Sequence, residues 1–437
     1  SKILNNIINF TNNTNSIRAI RVSKHGEIEI RNNKIIKTRG RGAFYIIDST
    51  KDLYTDKCVI FNYNLIEEVG NIKFGVFYIF KRYDFNIDHN IIKNCKIDDY
   101  HSELELSYNQ YYSISFTWTN LTLTGCSSRV SSGGGLGIWI VFSNKNGTLT
   151  FQNCHFENNI AKHENGGGAF QTGCASIGSM ALYINNCEFI NNSANLGGAL
   201  SIQSGREAVI SNCYFINNKA NNGGGAIYIH PSFGSFLVPN TTITKCRFES
   251  NQDSSNEGHA VYFQFDLNCQ SNLEIKECFF LNNGNKTSNG YAISTDAPKF
   301  SISGSIIEFD SISSAGGIII ESNTMSANIN GCQFTNNSAD IGGALSIQSM
   351  QEAVVFNCTF IKNKANKNSG GALYIKNGKV DSCIFSDNDA EYGGDLYFSQ
   401  YNSSSKMVVD SCKFNRTKKM NTKSIVFFEI KTATSNL

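Results

Sequence analysis

An internal repeat is the feature that most limits what this chain can fold into. Cysteine recurs about every 30 residues along most of the 437-residue sequence, and a period of that length is typical of solenoids. The cysteines that mark this register are Cys58, Cys95, Cys126, Cys154, Cys187, Cys213, Cys246, Cys278, Cys332, Cys358, Cys383 and Cys412. Ser305 falls midway through the double gap between Cys278 and Cys332 and takes the place of a cysteine. The chain is therefore a series of copies of one structural unit.

The residues around each cysteine repeat as well. An apolar residue stands three positions before it, and in most units a phenylalanine stands two positions after it, followed three positions later by an asparagine. Clear copies are Phe189, Phe215, Phe334 and Phe360, with Asn192, Asn218, Asn337 and Asn363. Next come Gly-Gly-Ala and a short alternating run, as in Gly197–Ile202. Each unit therefore contains three short segments with the period of two that is typical of β-strands, separated by corners that carry Asn or Gly.

This pattern predicts an all-β protein, a parallel β-helix (solenoid) of about 12–13 coils. Three short strands and their corners fill one unit, and successive turns of such a helix stack about 4.8 Å apart. No segment has the apolar spacing of an amphipathic α-helix. We expect an irregular N-terminal cap with degenerate coils over residues 1–90, because an open end would expose strand edges. One continuous repeat domain is expected over residues 91–437.

Stacking of the turns places equivalent side chains over one another and predicts internal columns. Phenylalanine and aliphatic columns form the core, where burial of each side chain contributes about 1.5–3 kcal/mol. The asparagines form a ladder, because Asn tolerates positive φ and its amide can bond to the asparagine one coil above or below. The thiol column contains Cys154, Cys187, Cys213, Cys246, Cys278, Cys332, Cys358, Cys383 and Cys412.

We interpret the thiol column as small buried hydrophobic side chains, although some neighbouring thiols could oxidise outside the cell. The cysteines form no CxxC pair and no His stands in register with them, so no metal site is expected. Cys174 and Cys269 lie outside the register, where longer segments between units are expected to project as loops. They are candidates for a disulfide between loops or for free thiols.

The alternating run after Gly-Gly-Ala has aliphatic residues on one parity and Ala, Ser or Tyr on the other. If the aliphatic side chains point inward, Tyr228 and Tyr262 lie outward on adjacent coils, and so do Tyr374 and Tyr397. Flat surfaces of tyrosine and serine suit contacts with a protein or a glycan. These four tyrosines are the candidate partner face, against the simpler interpretation that they are ordinary outward strand residues.

Charge and hydropathy exclude several classes of protein. The 38 Lys and Arg residues balance 36 Asp and Glu residues, with a net charge of +2, so no nucleic-acid-binding face is expected. No apolar run is long enough for a transmembrane helix. The first residues lack the pattern of a signal peptide, so we expect either a mature chain or a piece of a longer one.

Catalytic residues are not evident in the sequence. Polysaccharide lyases and polygalacturonases use β-helices, but their chemistry needs clustered carboxylates, usually beside Arg or His. The seven His residues are scattered, and the densest acidic cluster, at Asp381, Asp387, Asp389, Glu391 and Asp395, is interpreted as a solvated edge. We expect no catalytic residue, no cofactor and no metal, with a polysaccharide lyase or glycoside hydrolase as an alternative.

Two motifs that recur in phase resemble a known repeat. Phe-x-x-Asn and Gly-Gly-Ala followed by Ile or Leu occur together at Phe189–Asn192 with Gly197–Leu200, and again at Phe215–Asn218, Phe334–Asn337 and Phe360–Asn363 with their own glycine pairs. This combination resembles the repeat of the polymorphic outer membrane proteins (Pmp) of chlamydiae, and protist surface proteins carry similar repeats. The resemblance covers about residues 120–415. It implies a right-handed β-helix that is displayed on a cell surface and acts in adhesion.

The expected function is that of a non-enzymatic extracellular or cell-surface protein, an adhesin or a rigid interaction scaffold. Its partner would be a protein or glycan on a cell surface or in a matrix. A structural subunit of a surface filament or coat, which would associate with its own copies, is the first alternative. The richness in Asn, Ile and Lys is typical of proteins from protists with AT-rich genomes.

Overall fold

A computed structural model shows that the protein is built from parallel β-strands. The structure describes residues 2–9, 17–23, 28–36, 40–47, 58–67, 77–80, 84–97, 104–107, 115–128, 136–141, 147–162, 166–174, 180–203, 205–231, 238–255, 257–264, 271–284, 290–309, 315–349, 351–400, 407–417 and 422–430. Within these ranges every regular element is a strand, and all strand pairs are parallel. The prediction of an all-β parallel β-helix is confirmed.

The chain divides into two compact units, unit 1 with Ser1–Asn221 and Ala226–Asn240, and unit 2 with Asn222–Gly225 and Thr241–Leu437. Each turn contributes one strand to each of three parallel sheets, named A, B and C in chain order. Strands of these sheets also occur among the described residues before residue 90. The assignment of residues 1–90 as a cap stays a prediction.

The strands of unit 1 follow this order. Sheet A contains Lys2–Leu4, Ile28–Arg31, Cys58–Asn62, Asp84–Asp88, Ser115–Thr119, Gly147–Gln152, Met180–Asn185 and Glu207–Ser211. Sheet B contains Ile7–Asn9, Lys34–Ile36, Leu65–Glu67, Ile91–Lys93, Thr122–Thr124, His155–Glu157, Glu188–Ile190 and Tyr214–Ile216. Sheet C contains Ile17–Ser23, Gly40–Ile47, Phe77–Phe80, Leu104–Ser107, Leu136–Val141, Phe170–Cys174, Leu200–Gln203 and Ile227–His230. Short strands Lys96–Ile97, Ser127–Ser128, Ile160–Ala161, Ser193–Ala194 and Lys219–Ala220 lie between sheets B and C along the chain.

Unit 2 repeats the same order. Sheet A contains Asn240–Thr244, Asn272–Lys276, Lys299–Ser303, Ser326–Asn330, Ala353–Phe356, Gly378–Asp381 and Met407–Asp410. Sheet B contains Arg247–Glu249, Phe279–Leu281, Ile306–Glu308, Gln333–Thr335, Thr359–Ile361, Ile384–Ser386 and Lys413–Asn415. Sheet C contains Val261–Phe263, Tyr291–Thr295, Gly316–Ile320, Leu345–Ile347, Leu373–Ile375, Leu396–Gln400 and Val426–Ile430. The remaining strands are Gln252–Asp253, Ser338–Ile341 and Lys364–Ser369.

In-register stacking builds the core. In unit 1, Phe189 pairs with Phe215, and their rings stack with centroids 4.7 Å apart and planes 2° from parallel. In unit 2, Phe334 and Phe360 stack at 4.9 Å and 5°. All four rings are fully buried. Their spacing matches the separation of neighbouring strands, about 4.8 Å, so the sheet itself sets the ring stacking. In unit 2 the phenylalanine column is interrupted by Ile307, which lies between Phe280 and Phe334.

Two corners of each turn share one backbone design. Corner 1, between sheets A and B, begins with a residue of positive φ in every turn, and corner 2, directly after sheet B, does so in most of the turns where it is described. At corner 1 these residues are Asn5, Asn32, Tyr63, His89, Asn120, Asn153, Asn186, Asn212, Lys245, Glu277, Gly304, Gly331, Asn357, Ser382 and Ser411. At corner 2 they are Asn94, Gly125, Asn158, Asn191, Asn217, Ser250, Asn282, Asn336, Lys362 and Asp387. Asn and Gly dominate because they tolerate the left-handed conformation best.

The Gly-Gly-Ala motif precedes sheet C, and its two glycines are needed for different reasons. Gly342 has φ of +58°, a conformation that disfavours a side chain. Gly343 has no such backbone requirement, but a Cβ atom there would lie 2.3 Å from the Lys364 carbonyl oxygen of the next turn. The first glycine therefore permits the bend, and the second permits close approach of the next turn.

Candidate interaction face and its supporting ladders

Buried asparagines link successive turns at corner 2. The Asn192 backbone N–H donates to the Asn218 Oδ1 at 3.0 Å, and its side-chain Nδ2 donates to the same oxygen at 3.0 Å. In unit 2, Asn337 and Asn363 form the same pair of bonds at 3.0 and 2.8 Å. These side chains are completely buried. Each amide therefore satisfies backbone and side-chain groups that burial would otherwise leave unbonded.

The cysteines of corner 1 form hydrogen bonds of the same pattern. The Cys154 N–H donates to the Cys187 Sγ at 3.4 Å, and the Cys187 Sγ donates to the Asn185 carbonyl two residues before it at 3.3 Å. Ser305 stands in the same column, where its hydroxyl accepts the Cys278 N–H at 3.1 Å. The hydrogen bond with Cys187, together with burial, raises the pKa of Cys154, so this thiol stays neutral. The column therefore acts as a hydrogen-bonded ladder as well as an apolar one.

The sequence register is wrong for three cysteines. Cys95 and Cys126 belong to corner 2, because the Cys126 N–H donates to the Asn159 Oδ1 at 3.1 Å. Cys58 begins a sheet A strand opposite Asp84, away from both corners. In the same early turns, corner 1 carries an asparagine ladder of Asn6, Asn33, Asn64 and Asn90. Along unit 1, the asparagine ladder therefore moves from corner 1 to corner 2, and the cysteines move from corner 2 to corner 1.

That early ladder was not predicted, because residues 1–90 were expected to form only a cap with degenerate coils. The Asn33 N–H donates to the Asn64 Oδ1 at 3.0 Å, and the Asn64 N–H to the Asn90 Oδ1 at 2.9 Å. The sequence does mark this ladder: an asparagine stands directly before a short apolar strand, as Asn64 and Asn90 do. Asn33, Asn64 and Asn90 are each at most 1% exposed.

The four predicted tyrosines lie on the outer parity of sheet C, but two of them are largely buried. Tyr228 in unit 1 is 5% exposed and stacks on His230, with ring centroids 4.4 Å apart. Tyr397 in unit 2 is 8% exposed and stacks on Tyr374 at 5.6 Å. Tyr262 is half-buried and pairs with Ser294 of the next turn. Burial leaves little of Tyr228 and Tyr397 free for a partner, which corrects the expectation of an open tyrosine surface.

The off-register cysteines fall largely outside the described residues. Cys174 ends the sheet C strand Phe170–Cys174, where its backbone pairs with Ile140, and its side chain lies outside the description. Cys269 lies outside the described residues altogether. Their pairing stays a prediction.

Exposed apolar side chains recur instead on the outer face of sheet B. The first residue of the sheet B strand is Tyr214 in unit 1 and Phe279 and Ile384 in unit 2, with exposures of 46%, 44% and 39%. Ile7 and Ile91 occupy the same strand position in earlier turns and are also exposed. We use the term sheet B face for the outer surface of sheet B within each unit. At this position the apolar residues alternate with polar or charged residues of neighbouring turns, such as Glu188 before Tyr214 and Arg247 before Phe279.

Charged residues accompany these apolar groups. In unit 1, the His155 Nδ1 lies 2.9 Å from the Glu188 carboxylate, in the turn next to Tyr214. In unit 2, Arg247 forms an ion pair with Glu249 at 2.9 Å, beside Phe279. Such an arrangement, apolar residues with charges at their sides, combines hydrophobic contact with polar recognition.

The acidic residues near the carboxyl end of unit 2 are engaged in structure. Asp395 is completely buried, accepts a hydrogen bond from the Asn388 side chain at 2.8 Å and forms an ion pair with Arg416 at 3.0 Å. Asp387 accepts the Thr417 N–H at 2.7 Å. The expectation of a solvated edge is therefore wrong for both, because their carboxylates bond to the following turn or to the asparagine ladder.

Other candidate reactive groups are also buried. Burial lowers the pKa of His230 and of His259 to about 4, so both imidazoles are neutral near pH 7. The His259 Nδ1 accepts the Asp253 backbone N–H at 3.1 Å. The residues that the structure describes include no group of three or more His, Cys, Asp or Glu side chains placed to hold a metal ion.

Comparison with protein families adds one match. Residues 212–230 and 357–376 match the Chlamydia polymorphic membrane protein (Chlamydia_PMP) repeat. In these two segments the β-helix carries Pmp-like repeats. Each Pmp-like repeat begins at a left-handed corner 1 residue, Asn212 or Asn357, and runs through sheet B to the glycine pair and sheet C. A search of curated proteins finds no match for the chain. In the part of the chain that the structure describes, no helix has the length and apolar character needed to span a bilayer.

Proposed function

We propose that the protein is a non-enzymatic, surface-displayed adhesin or rigid interaction scaffold, and that partners dock on the sheet B face. The Pmp-like repeats support surface display, because the matched repeat is that of a membrane protein family. The observation that carries the proposed contact site is the recurrence of exposed apolar residues at one strand position, as at Tyr214 and Phe279.

The rigidity of the scaffold supports this role. The sheet B strands pair in register, and on the opposite side their central phenylalanines stack in the core, as Phe189 does on Phe215. Asn192 and Cys187 bond the flanking corners to the next turn. A surface held on both sides in this way loses little conformational entropy when a partner binds.

The non-enzymatic part of the proposal is supported by what the described acidic groups do. A glycoside hydrolase requires two available carboxyl groups facing one groove. Asp395 and Asp387 are buried or bonded within the fold, and Asp381 forms an ion pair with Lys379 at 2.7 Å. Incubation with polygalacturonate or alginate should release no new reducing ends or unsaturated products.

A binding assay tests the contact site. The double variant Tyr214→Ser/Phe279→Ser removes one exposed ring from each unit. The control is Phe356→Ser, because Phe356 is 41% exposed but lies at the end of a sheet A strand. Binding of the purified, labelled protein to fixed epithelial cells and to immobilised matrix glycoproteins is measured for all three proteins. We expect at least about a tenfold loss for the double variant only, since each lost aromatic contact contributes around 1 kcal/mol or more.

Equal binding by the double variant and the wild type would contradict the sheet B face as the contact site. Loss of binding in Phe356→Ser alone would assign the contact to sheet A. Sedimentation velocity separates an adhesin from a filament subunit, because a filament subunit forms larger species as its concentration rises.

A further inference from the structure

The corners of the β-helix create a modification motif that the proposed function does not use. At a corner, an asparagine of positive φ is followed by a buried residue and then by an outward residue of the next strand. Where that third residue is Ser or Thr, the three form Asn-x-Ser/Thr, the acceptor motif for N-linked glycans. Four described corners carry this motif: Asn120–Thr122 and Asn357–Thr359 in corner 1, and Asn191–Ser193 and Asn336–Ser338 in corner 2.

Two of these four motifs are open to solvent. Asn191 and Asn357 are exposed, with φ of +54° and +52°. Neither side chain forms a hydrogen bond within the part of the chain that the structure describes. Ser193 and Thr359, which complete the two motifs, are partly exposed, while the residue between asparagine and hydroxyl is buried in each case. The acceptor amides therefore have room for an attached sugar.

The other two motifs have the same backbone but engaged amides. The Asn120 Nδ2 donates to the Asp88 carboxylate at 2.9 Å, and the Asn336 Nδ2 donates to the Phe309 carbonyl at 3.2 Å. Both asparagines are half-buried. A sugar on either nitrogen would replace an amide hydrogen at a contact with the previous turn. These two corners therefore provide a comparison within the same chain.

We infer that Asn191 and Asn357 are sites of N-linked glycosylation. The donor is an oligosaccharide carried on a lipid pyrophosphate. The asparagine Nδ2 loses one proton and forms a bond to C1 of the first sugar, while the bond between C1 and the pyrophosphate oxygen breaks. The lipid pyrophosphate leaves with that electron pair, and the asparagine keeps its carbonyl and one N–H.

The positions of the two asparagines place each glycan at an edge of the sheet B face. In unit 1, Asn191 directly follows the strand Glu188–Ile190, which pairs with the strand of Tyr214. In unit 2, Asn357 lies two residues before the strand Thr359–Ile361, which pairs with the strand of Ile384. The inference rests on the surface display in the proposed function, because N-linked glycans mark secreted chains, and not on the contact site.

Glycan mapping tests the inference. The full chain is secreted from insect cells behind a cleavable signal and treated with peptide N-glycosidase in heavy-oxygen water, which converts each glycosylated asparagine into a labelled aspartate. Peptides are compared by mass spectrometry with a sample that received no enzyme. We expect enzyme-dependent label at Asn191 and Asn357 and none at Asn120 and Asn336.

Variants of the hydroxyl residue remove a motif without changing its left-handed asparagine. Ser193→Ala and Thr359→Ala should each abolish one glycan and one step of the mobility shift on a denaturing gel. Thr359→Ser keeps the motif and should keep the shift of the wild type. Because all three substitutions lie on the outer side of a strand, far-ultraviolet circular dichroism should be unchanged.

Two results would overturn the inference. Unlabelled Asn191 and Asn357 in the secreted wild type would show that these corners are not acceptors. Equal label at all four asparagines would show that the engaged amides of Asn120 and Asn336 do not differ from the open ones. Because the secretion signal is supplied, either result is independent of the cell-binding assay, so failure of the contact site and failure of this inference are distinguishable.

Discussion

The side-chain amide of Asn388 donates to the Asp395 carboxylate at 2.8 Å, whereas the amides of Asn337 and Asn363 in the two preceding turns each donate to the asparagine of the following turn. Asp395 stands in the alanine position of its Gly-Gly-Ala segment and comes from the same turn as Asn388. Arg416 of the next turn pairs with the carboxylate at 3.0 Å and also donates to the Asn388 carbonyl. A buried ion pair therefore ends the asparagine ladder of the described part of unit 2.

Removal of the Asp395 carboxylate should destabilise unit 2. Asp395→Ala leaves the Asn388 amide without one of its two acceptors and the Arg416 guanidinium, itself 19% exposed, without its counter-charge. Breaking a buried pair by removing one partner costs about 3–5 kcal/mol. We expect a loss in this range in the free energy of unfolding, measured by urea denaturation. Lys413→Ala, an exposed sheet B substitution nearby, should change it by less than about 0.5 kcal/mol.

A pH dependence follows from the same carboxylate. Burial raises the pKa of Asp395 from 3.8 to about 6, although the Asn388 bond and Arg416 oppose the rise. The folded protein therefore binds this proton more tightly than the unfolded chain does. Its contribution to stability is fully present below about pH 4 and is lost as the pH rises through about 6.

Asp395→Asn provides the comparison, because it keeps an acceptor for Asn388 and cannot titrate. Relative to this variant, the wild type should lose about 2–3 kcal/mol in its free energy of unfolding as the pH rises from 4 to 7. Urea midpoints measured across that range give this difference and cancel the titration of other groups. A difference that does not vary with pH would show that the two states bind the Asp395 proton equally.

The fold was predictable because stacking forces identical residues into columns, and Phe189 with Phe215 is the direct result. The exchange of corners in unit 1 was not predictable from the cysteines. Asn and Cys both place a donor and an acceptor beside the backbone after a left-handed residue, so Cys126 can stand where Asn159 stands one turn later. The identity of the ladder residue therefore does not determine the corner.

The candidate face was predicted less well than the fold. Alternation correctly placed Tyr374 and Tyr397 on one side of sheet C, where their rings stack. Alternation does not show which other parts of the chain cover that side of the sheet, so the burial of Tyr397 was not predicted. Tyr214 and Phe279, which directly precede the repeated phenylalanines, were not among the residues of the predicted face. Their exposure follows from strand alternation, which turns one of two neighbouring residues outward.

Two adjacent asparagines in one corner should respond differently to substitution. Asn192→Ala removes a buried amide that bonds to Asn218 and to the Phe156 carbonyl, and it leaves their partners unbonded. We expect a loss of about 2–4 kcal/mol in the free energy of unfolding. Asn191 is exposed with φ of +54°, so Asn191→Gly should be neutral within about 0.5 kcal/mol and Asn191→Ala should cost about 1 kcal/mol. Equal effects of Asn192→Ala and Asn191→Ala would contradict the ladder.

Substitution of a buried ladder cysteine separates its hydrogen-bonding role from its apolar role. Cys332→Ser keeps a donor for the Asn330 carbonyl, to which the thiol donates at 3.3 Å. It also reproduces the hydroxyl of Ser305 one turn earlier, which donates to the Ser303 carbonyl of its own turn and accepts the Cys278 N–H of the previous turn. Cys332→Ala keeps the apolar character but removes the donor and acceptor. If hydrogen bonding dominates, Cys332→Ser should be more stable than Cys332→Ala by about 1 kcal/mol in urea denaturation. The reverse order would show that the column acts mainly as a stack of small hydrophobic side chains.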